Sequence, residues 1–191
     1  MSKKLIIAEK PSVASDIAKA LGGFEKKEDY FESEEYVLSS AVGHLLEINA
    51  DSFDVKRGKW NLNNLPVIPS FFELSPIAKT ESRLKLLLKL IKRKDVTGLI
   101  NACDAGREGE LIFRLIIQYA KTTKPCERLW LQSMTPQAIK QGFKDLKSDE
   151  SMQPLTDAAR CRSEADWLVG INGTRAMTAF NSKDGDFFLL Q

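Results

Sequence analysis

The run VTGLINACDAGREGELIF, residues 96–113, constrains the fold most strongly because it joins an apolar strand to an apolar helix through acidic residues. Val96 to Cys103 predicts a buried strand, and a helical pattern of apolar residues begins at Leu111. Asp104 and Glu108 lie between them, where ionised carboxylates avoid burial without partners. At a strand-to-helix turn, such carboxylates make an oxygen cage for a hard cation such as magnesium. The run therefore predicts phosphate chemistry.

The alternation of strands and helices recurs along the chain. Leu5 to Ala8 predicts a buried strand, and Ser12 is expected to cap a helix that ends at Leu21. Apolar strands alternating with helices indicate a parallel α/β sheet flanked by helices. The other predicted elements are a hairpin or two strands within 30–42, an irregular segment over 51–76, a helix over 79–94, a helix from Leu111 to Tyr119, a strand over 128–132, a helix opened by Thr135 and Pro136, and a long helix from Leu155 to about Phe180.

Two distant segments are expected to meet at one rim of this sheet. Glu9 and Lys10 directly follow the first strand, as Asp104 and Glu108 follow the later one. Ligands of parallel sheets bind beyond the carboxyl ends of the strands. Asp104 and Glu108 would hold a magnesium ion, Glu9 would share it or transfer a proton, and Lys10 would stabilise a pentacovalent phosphate. The alternatives are a capping carboxylate for Glu9 and a solvated acidic loop over 104–110.

Composition and charge exclude several classes of protein. The net charge is only +2, so any nucleic-acid binding must come from local patches. The three cysteines, Cys103, Cys126 and Cys161, are odd in number and form no CxxC, which favours reduced thiols over a zinc site or a disulfide. No apolar run approaches the roughly 18 residues of a membrane span, and Glu9 interrupts the N-terminal apolar run too early for a signal peptide. These features predict a cytoplasmic protein with no membrane partner.

Glu9 to Ser12 directly follow a predicted strand, and residues 104–110 contain a DxxxE motif that runs from Asp104 to Glu108. These two features resemble the Toprim fold. More narrowly, five segments of the chain resemble the N-terminal part of the type IA DNA topoisomerases of the bacterial topoisomerase III group. The segments REGEL and ADWLVGIN are specific to that family, whereas AEKPS alone is a weak signal. The resemblance spans essentially the whole chain. The matching segments are AEKPS (8–12), GHLLE (43–47), WNLNNLP (60–66), REGEL (107–111) and SEADWLVGINGTRA (163–176).

The resemblance implies a division of the chain and an activity. Residues 1–150 would form a Toprim domain with a Rossmann-like parallel sheet, and 151–191 would begin a mainly helical DNA-binding domain that is truncated. The implied activity is the ATP-independent relaxation or decatenation of DNA, in which magnesium-dependent cleavage of one strand through a 5′-phosphotyrosine precedes strand passage. The partner would be a single-stranded DNA segment.

The resemblance also assigns roles to individual residues. This sequence departs from the family's DxDxE metal motif because Gly106 replaces the middle acid, and Glu110 or a water would have to supply the lost ligand. The roles that carry over are proton transfer and metal sharing for Glu9, phosphate stabilisation for Lys10, and metal ligation for Asp104 and Glu108.

The candidate DNA contacts lie in two other segments. By composition alone, Trp60 and Trp167 are expected to be buried core aromatics. The resemblance favours stacking of both rings on DNA bases. It also implies phosphate contact by Arg175 and a weaker backbone contact at Ser182, where the family often has a basic residue. His44 is expected to be structural, near the rim.

Two further patterns bear on function. The basic face of the helix over 79–94 is expected to be a solvated face, with attraction of DNA as the alternative. The tyrosines Tyr30, Tyr36 and Tyr119 lie outside any motif that resembles the family's nucleophile, and the chain ends on an apolar run. We therefore expect an N-terminal fragment that binds magnesium and, weakly, single-stranded DNA, and that does not cleave DNA.

Two other classes remain open from the sequence. A magnesium-dependent Toprim nuclease or primase would share the acids, but it would not be expected to carry ADWLVGIN. A non-catalytic α/β phosphate-binding module would be expected to use a glycine-rich loop, and neither GxxxxGK nor GxGxxG is present.

Overall fold

A seven-stranded sheet, flanked by helices, forms the centre of the computed structural model, which describes residues 2–49 and 62–181. The strand order is β2-β3-β4-β1-β7-β8-β9. The four central strands β4, β1, β7 and β8 are parallel, while β2, β3 and β9 pair antiparallel at the edges. The strands of this sheet are β1 (Lys3–Ala8), β2 (Glu25–Lys26), β3 (Phe31–Glu32), β4 (Tyr36–Ser40), β7 (Val96–Ala102), β8 (Cys126–Arg128) and β9 (Lys147–Ser148).

Five helices and a small second sheet complete the described chain. Strands β5 (Leu46–Ile48) and β6 (Leu74–Pro76) pair with each other. The mostly parallel sheet with flanking helices confirms the predicted α/β fold class. No helix of the described residues is both long and apolar enough to cross a bilayer. The helices are α1 (Pro11–Leu21), α2 (Glu81–Ile91), α3 (Arg107–Ala120), α4 (Pro136–Lys144) and α5 (Asp149–Asn181).

The core explains why the central strands are almost wholly apolar. A parallel strand covered on both faces has no solvent-facing side, and every residue from Leu5 to Ala8 is inaccessible to water. Ile6, Ile100 and the α1 residue Ile17 belong to one buried cluster, which Ile139 of α4 completes. Helix α2 packs against β7 and α3. These contacts hold the carboxyl ends of β1 and β7 in a fixed register, with Ala8 opposite Ala102.

The described chain divides into two compact units. Among the described residues, one comprises 2–47 and 76–159, and the other comprises 48–49, 62–75 and 160–181. In the second unit, the Asn172 side-chain oxygen accepts from the Val67 N–H at 2.5 Å, and its Nδ2 donates to the Val67 carbonyl at 2.9 Å. The domain boundary predicted at residue 150 stays a prediction.

Several predicted element boundaries were wrong. Helix α1 has Lys10 at its N-cap and Pro11 at its first position, so Ser12 is not the cap; proline is pre-organised for that place. Helix α3 begins at Arg107 rather than Leu111. Its first turn contains the acidic residues, whose negative charges interact favourably with the positive end of the helix dipole. The strand expected over 128–132 is Cys126–Arg128 instead. In contrast, Thr135 caps α4 as predicted, accepting from the Ala138 N–H at 3.3 Å.

Candidate active site

The register between β1 and β7 brings the two predicted catalytic segments together at the carboxyl edge of the sheet. The Asp104 N–H donates to Glu9 Oε2 at 3.3 Å. Lys10 Nζ lies 3.2 Å from Asp104 Oδ2 and 3.9 Å from Glu9 Oε1. Glu9 is only 8% exposed, whereas the side chains of Lys10 and Asp104 are more than half exposed. The result is one accessible ammonium held between two carboxylates.

The charge state of Lys10 follows from these contacts. The hydrogen bond to Asp104 raises the pKa of Lys10, and the charges of Asp104 and Glu9 raise it further. The side chain therefore remains protonated at neutral pH. A cation at this position suits an anionic phosphate group that approaches the rim.

Glu108, the remaining predicted metal ligand, has a different partner. It stands in the first turn of α3, where its Oε1 contacts Nε2 of His44. Both side chains are exposed to solvent. His44 therefore lies near the rim, as predicted, and its ring pairs with a candidate ligand.

The donor chemistry of the rim suits magnesium, which prefers carboxylate oxygens. Glu9 and Asp104 adjoin each other, and both are carboxylates. Within residues 2–49 and 62–181, however, no three acidic, histidine or cysteine side chains are grouped closely enough to hold a metal ion. A metal site that includes Glu108 needs this side chain to exchange His44 for the ion.

A buried polar network lies directly beneath the acidic turn. Arg128, only 2% exposed, donates to the carbonyls of Asn101 (3.2 Å), Cys103 (2.8 Å) and Asp104 (2.6 Å). It also donates to the Asn101 side-chain oxygen at 2.7 Å. Because the carbonyls of Asn101, Cys103 and Asp104 share one guanidinium, the path of the backbone leading into Asp104 is fixed.

Glu110 belongs to this network and is not a surface acid. It is inaccessible to water and accepts from Arg114 Nε at 2.7 Å, from the Asn101 amide at 3.0 Å and from Thr156 Oγ1 at 2.9 Å. The prediction that Glu110 could replace the missing metal ligand is therefore wrong, because its oxygens are already used. The burial of Arg128 lowers the pKa of its guanidinium, although the charge of Glu110 opposes this effect.

Gly109 permits the close approach of α3 to the acidic turn. A Cβ at this position would lie 2.2 Å from the Asp104 carbonyl oxygen and 2.7 Å from the Asp104 nitrogen. Gly106, two residues beyond Asp104, has nothing within 4 Å of the corresponding point. The two glycines of the motif thus have different roles: Gly109 is required by packing, and Gly106 is not.

Two of the predicted DNA-contacting residues can be described, and two cannot. Trp167 is half-buried, and its ring meets Phe72 edge to face with centroids 5.5 Å apart. Arg175 is only 4% exposed. Trp60 and Ser182 lie outside the described residues. The packing role expected for a tryptophan is present at Trp167, and the DNA contacts stay predictions.

Two of the three tyrosines stand away from the rim. Tyr36 begins β4, at the amino edge of the sheet, and burial raises the pKa of its hydroxyl. Tyr119 lies in the last turn of α3, whereas Glu108 lies in its first. Tyr30 precedes β3, next to the carboxyl end of β4, and lines a surface cavity together with Pro11 and Ser40.

The basic face of α2 is partly structural. Arg83 donates to the Asp29 carbonyl at 3.1 Å, and Lys85 pairs with Glu81 at 2.9 Å. Arg93, just beyond the helix, pairs with Glu32 and Asp95. Attraction of DNA by the remaining lysines stays a prediction.

The supporting residues Arg128 and Asn101 were missed in the sequence. The sequence did contain a signal, which is a polar residue in a segment that is otherwise apolar. Asn101 interrupts the apolar strand 96–103, and Arg128 begins an otherwise apolar run. Buried polar groups need partners, so each of them called for an internal partner. The sequence did not indicate that they are partners of each other.

The chain is similar in sequence to a known domain family and to several known proteins. A family profile described as the Toprim domain matches residues 4–134. DNA topoisomerase 3 of Bacillus cereus is 46% identical over 185 residues, which cover 96% of this chain and 25% of that protein. DNA topoisomerase 3 of Staphylococcus epidermidis is also 46% identical, over 92% of this chain and 25% of that protein. This chain thus spans about a quarter of the length of these curated relatives.

A solved structure shares the fold. Full-length topoisomerase I from Thermotoga maritima superposes with a TM-score of 0.59 and 22% identity. The match covers 90% of this chain and 25% of that one.

Proposed function

This chain belongs to the Toprim domain family, and we propose that it supplies the acidic half of the DNA-cleavage centre of a type IA DNA topoisomerase. The observation that carries the proposal is the cluster of Glu9, Lys10 and Asp104 at the ends of two neighbouring parallel strands. Relatives named DNA topoisomerase 3 that match over nearly the whole chain support the choice among Toprim activities.

The proposed reaction moves a phosphoryl group between two oxygens. A tyrosine oxygen bonds to the phosphorus while the bond from phosphorus to O3′ breaks, and the strand is left with a 5′-phosphotyrosine. The tyrosine hydroxyl loses a proton, and O3′ gains one. We assign the carrying of this proton to the Glu9 carboxyl, which lies at the rim with one oxygen 3.9 Å from Lys10 Nζ.

Lys10 and the acids would share the electrostatic task. The Lys10 ammonium would stabilise the extra negative charge on the phosphorane oxygens. Glu9, Asp104 and Glu108 would hold a magnesium ion, which would neutralise phosphate charge and orient the phosphodiester. Glu108 would leave His44 to join the other two. Because Gly106 replaces the middle acid of the family's DxDxE motif, this site would offer the ion one carboxylate ligand fewer.

We assign the attacking tyrosine to none of Tyr30, Tyr36 and Tyr119, because none lies in a motif that resembles the family's nucleophile. The 191-residue chain by itself is therefore expected to bind magnesium and single-stranded DNA without cutting it. Base stacking by Trp60 and Trp167 and backbone contacts by Arg175 and Ser182 would position that strand.

Magnesium titration of the ¹⁵N-labelled chain tests the metal site. We expect the amide signals near Glu9 and Asp104 to move together with a single apparent affinity. Glu9→Gln and Asp104→Asn should each weaken binding at both segments. Glu127→Gln, which removes a carboxylate paired with Lys4 on the same sheet, is the matched control. Movement of one segment without the other would contradict a shared site.

The activity is tested in the full-length protein that contains this chain. It should relax negatively supercoiled DNA with magnesium, and Glu9→Gln should abolish relaxation, while Glu127→Gln should retain it. Undiminished relaxation by the Glu9→Gln enzyme would remove Glu9 from the reaction. Degradation of the DNA without relaxation would instead favour a nuclease.

A further inference from the structure

A cavity of about 190 Å³ opens beside Asp104, and the proposed cleavage reaction does not use it. Its lining comes from the end of β7, from α1 and from the segment that follows β8. Residues of the acidic turn, Asp104 and Ala105, form one border. Any group bound in this cavity would therefore adjoin the phosphodiester proposed to react at Asp104 and Lys10.

Most of the residues that line this cavity are apolar, and polar groups share its surface. The apolar residues include Val13, Leu129, Leu131 and Met134. Leu129 is buried in the core, and Ala102 and Cys103 beneath the cavity are also buried. Helix α4 packs tightly behind Leu129 and Leu131, since a Cβ on Gly142 would lie within 3 Å of both side chains. The cavity is consequently preformed by packed residues.

The cavity also carries an unused polar group. Gln132 lines it and is exposed, and its amide makes no hydrogen bond with any residue in the described part of the chain. A primary amide offers two donors and an acceptor with two lone pairs. This pattern can pair with the polar edge of any nucleobase. Ser133 adds a hydroxyl to the same side.

The dimensions limit what the cavity can hold. Sites for drug-sized ligands usually measure about 300–1,000 Å³, so this cavity suits one flat ring system and not a whole nucleotide. Apolar walls that sandwich a ring, with an amide at its edge, are how proteins read a base that has left its stack. A solvated crevice between α1 and the segment after β8 is the alternative.

From these observations we propose that the cavity is a nucleobase subsite that receives a base of the nucleotide flanking the reacting phosphodiester. The inference rests on the proposed function, because it takes single-stranded DNA as the ligand. The apolar walls bind the ring, and Gln132 contacts its polar edge. The subsite would thereby contribute to the choice of the DNA position that is cut.

Methyl NMR of the 191-residue chain tests the subsite. With methionine methyl groups labelled, Met134 reports on the cavity, and the buried Met152 serves as an internal reference. The probes are single-stranded hexanucleotides of each base and an abasic hexamer with the same phosphates, all with magnesium. We expect the base-containing oligomers to shift Met134 and leave Met152 unmoved, and the abasic oligomer to leave both unmoved.

A pair of glutamine variants tests the polar contact. Gln132→Ala should weaken binding about two- to tenfold for the preferred base and leave the abasic oligomer unaffected. Gln137→Ala, an exposed glutamine in the first turn of α4 outside the cavity lining, should change neither affinity. Equal losses for the normal and abasic oligomers would contradict base recognition by Gln132.

The outcomes separate this inference from the proposed function. If the oligomers bind while Met134 remains unshifted, or if the abasic oligomer shifts it equally, the subsite is wrong and the DNA-binding proposal stands. If no oligomer binds with magnesium, DNA binding by this chain fails and the subsite fails with it.

Discussion

Charged clusters stand at both edges of the central sheet, and they differ in how completely their charges are matched. At the amino edge, Arg93 pairs with Glu32 at 2.6 Å and with Asp95 at 2.7 Å, and Lys3 adds a third contact to Glu32 at 2.7 Å. At the carboxyl edge, Lys10 is held more loosely, at 3.2 Å from Asp104 and 3.9 Å from Glu9. The amino-edge charges satisfy one another, whereas Lys10 and Asp104 at the carboxyl edge remain accessible.

The difference separates a structural cluster from a candidate active site. Arg93 lowers the pKa of Glu32 to about 2 and that of Asp95 to about 2. An external phosphate or metal ion would have to displace these short ion pairs. At the rim, Asp104 and Glu108 each have one exposed partner that a ligand can replace. The rim keeps its shape because the contacts of Arg128 and Gly109 fix the backbone below it.

We expect the largest loss of stability when the buried Arg128 network beneath the rim is disrupted. Arg128→Met removes the donor shared by the carbonyls of Asn101, Cys103 and Asp104, and each buried acceptor left unsatisfied should cost about 1–3 kcal/mol of unfolding free energy. Chemical denaturation measures the loss. Arg162→Met, which removes an exposed pair with Asp166, is the control and should cost about 0.5 kcal/mol or less. A loss for Arg128→Met as small as the control would show that the network does not support the fold.

Gly109→Ala sharpens the comparison by disturbing the rim from below. The new methyl carbon would meet the Asp104 backbone at 2.2 Å, so the turn must shift. Overpacking of this kind costs about 1–3 kcal/mol. Gly106→Ala introduces the same methyl group into open space and should change stability much less. Thermal unfolding compares the two variants, and equal losses would contradict the assigned difference between these glycines.

From the amino-edge cluster we predict that the free energy of unfolding depends on pH in the acidic range. The carboxyls of Glu32 and Asp95 have lower pKa values in the folded protein than their ordinary 4.5 and 3.8, so their contribution is complete above that range. It is lost as the pH falls towards 2, by on the order of 1–2 kcal/mol. Urea denaturation between pH 6 and about 2 measures it.

Arg93→Met should flatten this acid-dependent loss. Arg83→Met is the control on the neighbouring helix, because its carboxylate partner Asp29 is exposed and 4.0 Å away. The same acid profile for the Arg93 variant and the wild type would show that the amino-edge pairs are not the source.

The smallest expected effect concerns the missing acid. Gly106 has an extended backbone, which any residue adopts, and open space around its Cβ position. Gly106→Asp should therefore fold normally and tighten magnesium binding several-fold by adding a carboxylate ligand. Isothermal titration with magnesium measures the change, with Gly106→Asn as the uncharged control. Equal affinities for both variants would indicate that position 106 does not face the ion.

Much of the fold was predictable from local pattern. Strands β1 and β7, the cap at Thr135 and the joining of Glu9 with Asp104 all followed from apolar runs and the parallel topology. Errors arose where tertiary contacts overrode the pattern. Leu129 and Leu131 continue an apparent strand, yet they pack under α4 instead. The acidic residues after Asp104 resembled a loop, yet they form the first turn of α3.

The sequence alone brought Glu9, Lys10 and Asp104 together as candidates, because charged groups just beyond the carboxyl ends of parallel strands lie at one edge of the sheet. It also determined the family, through REGEL and ADWLVGIN. The tertiary structure alone decided how those charges are used. Glu110 and Glu108 are two residues apart, yet one is buried among Arg114, Asn101 and Thr156 while the other is exposed beside His44. Their partners come from distant parts of the chain, and no local pattern specifies which side of a helix the rest of the protein will cover.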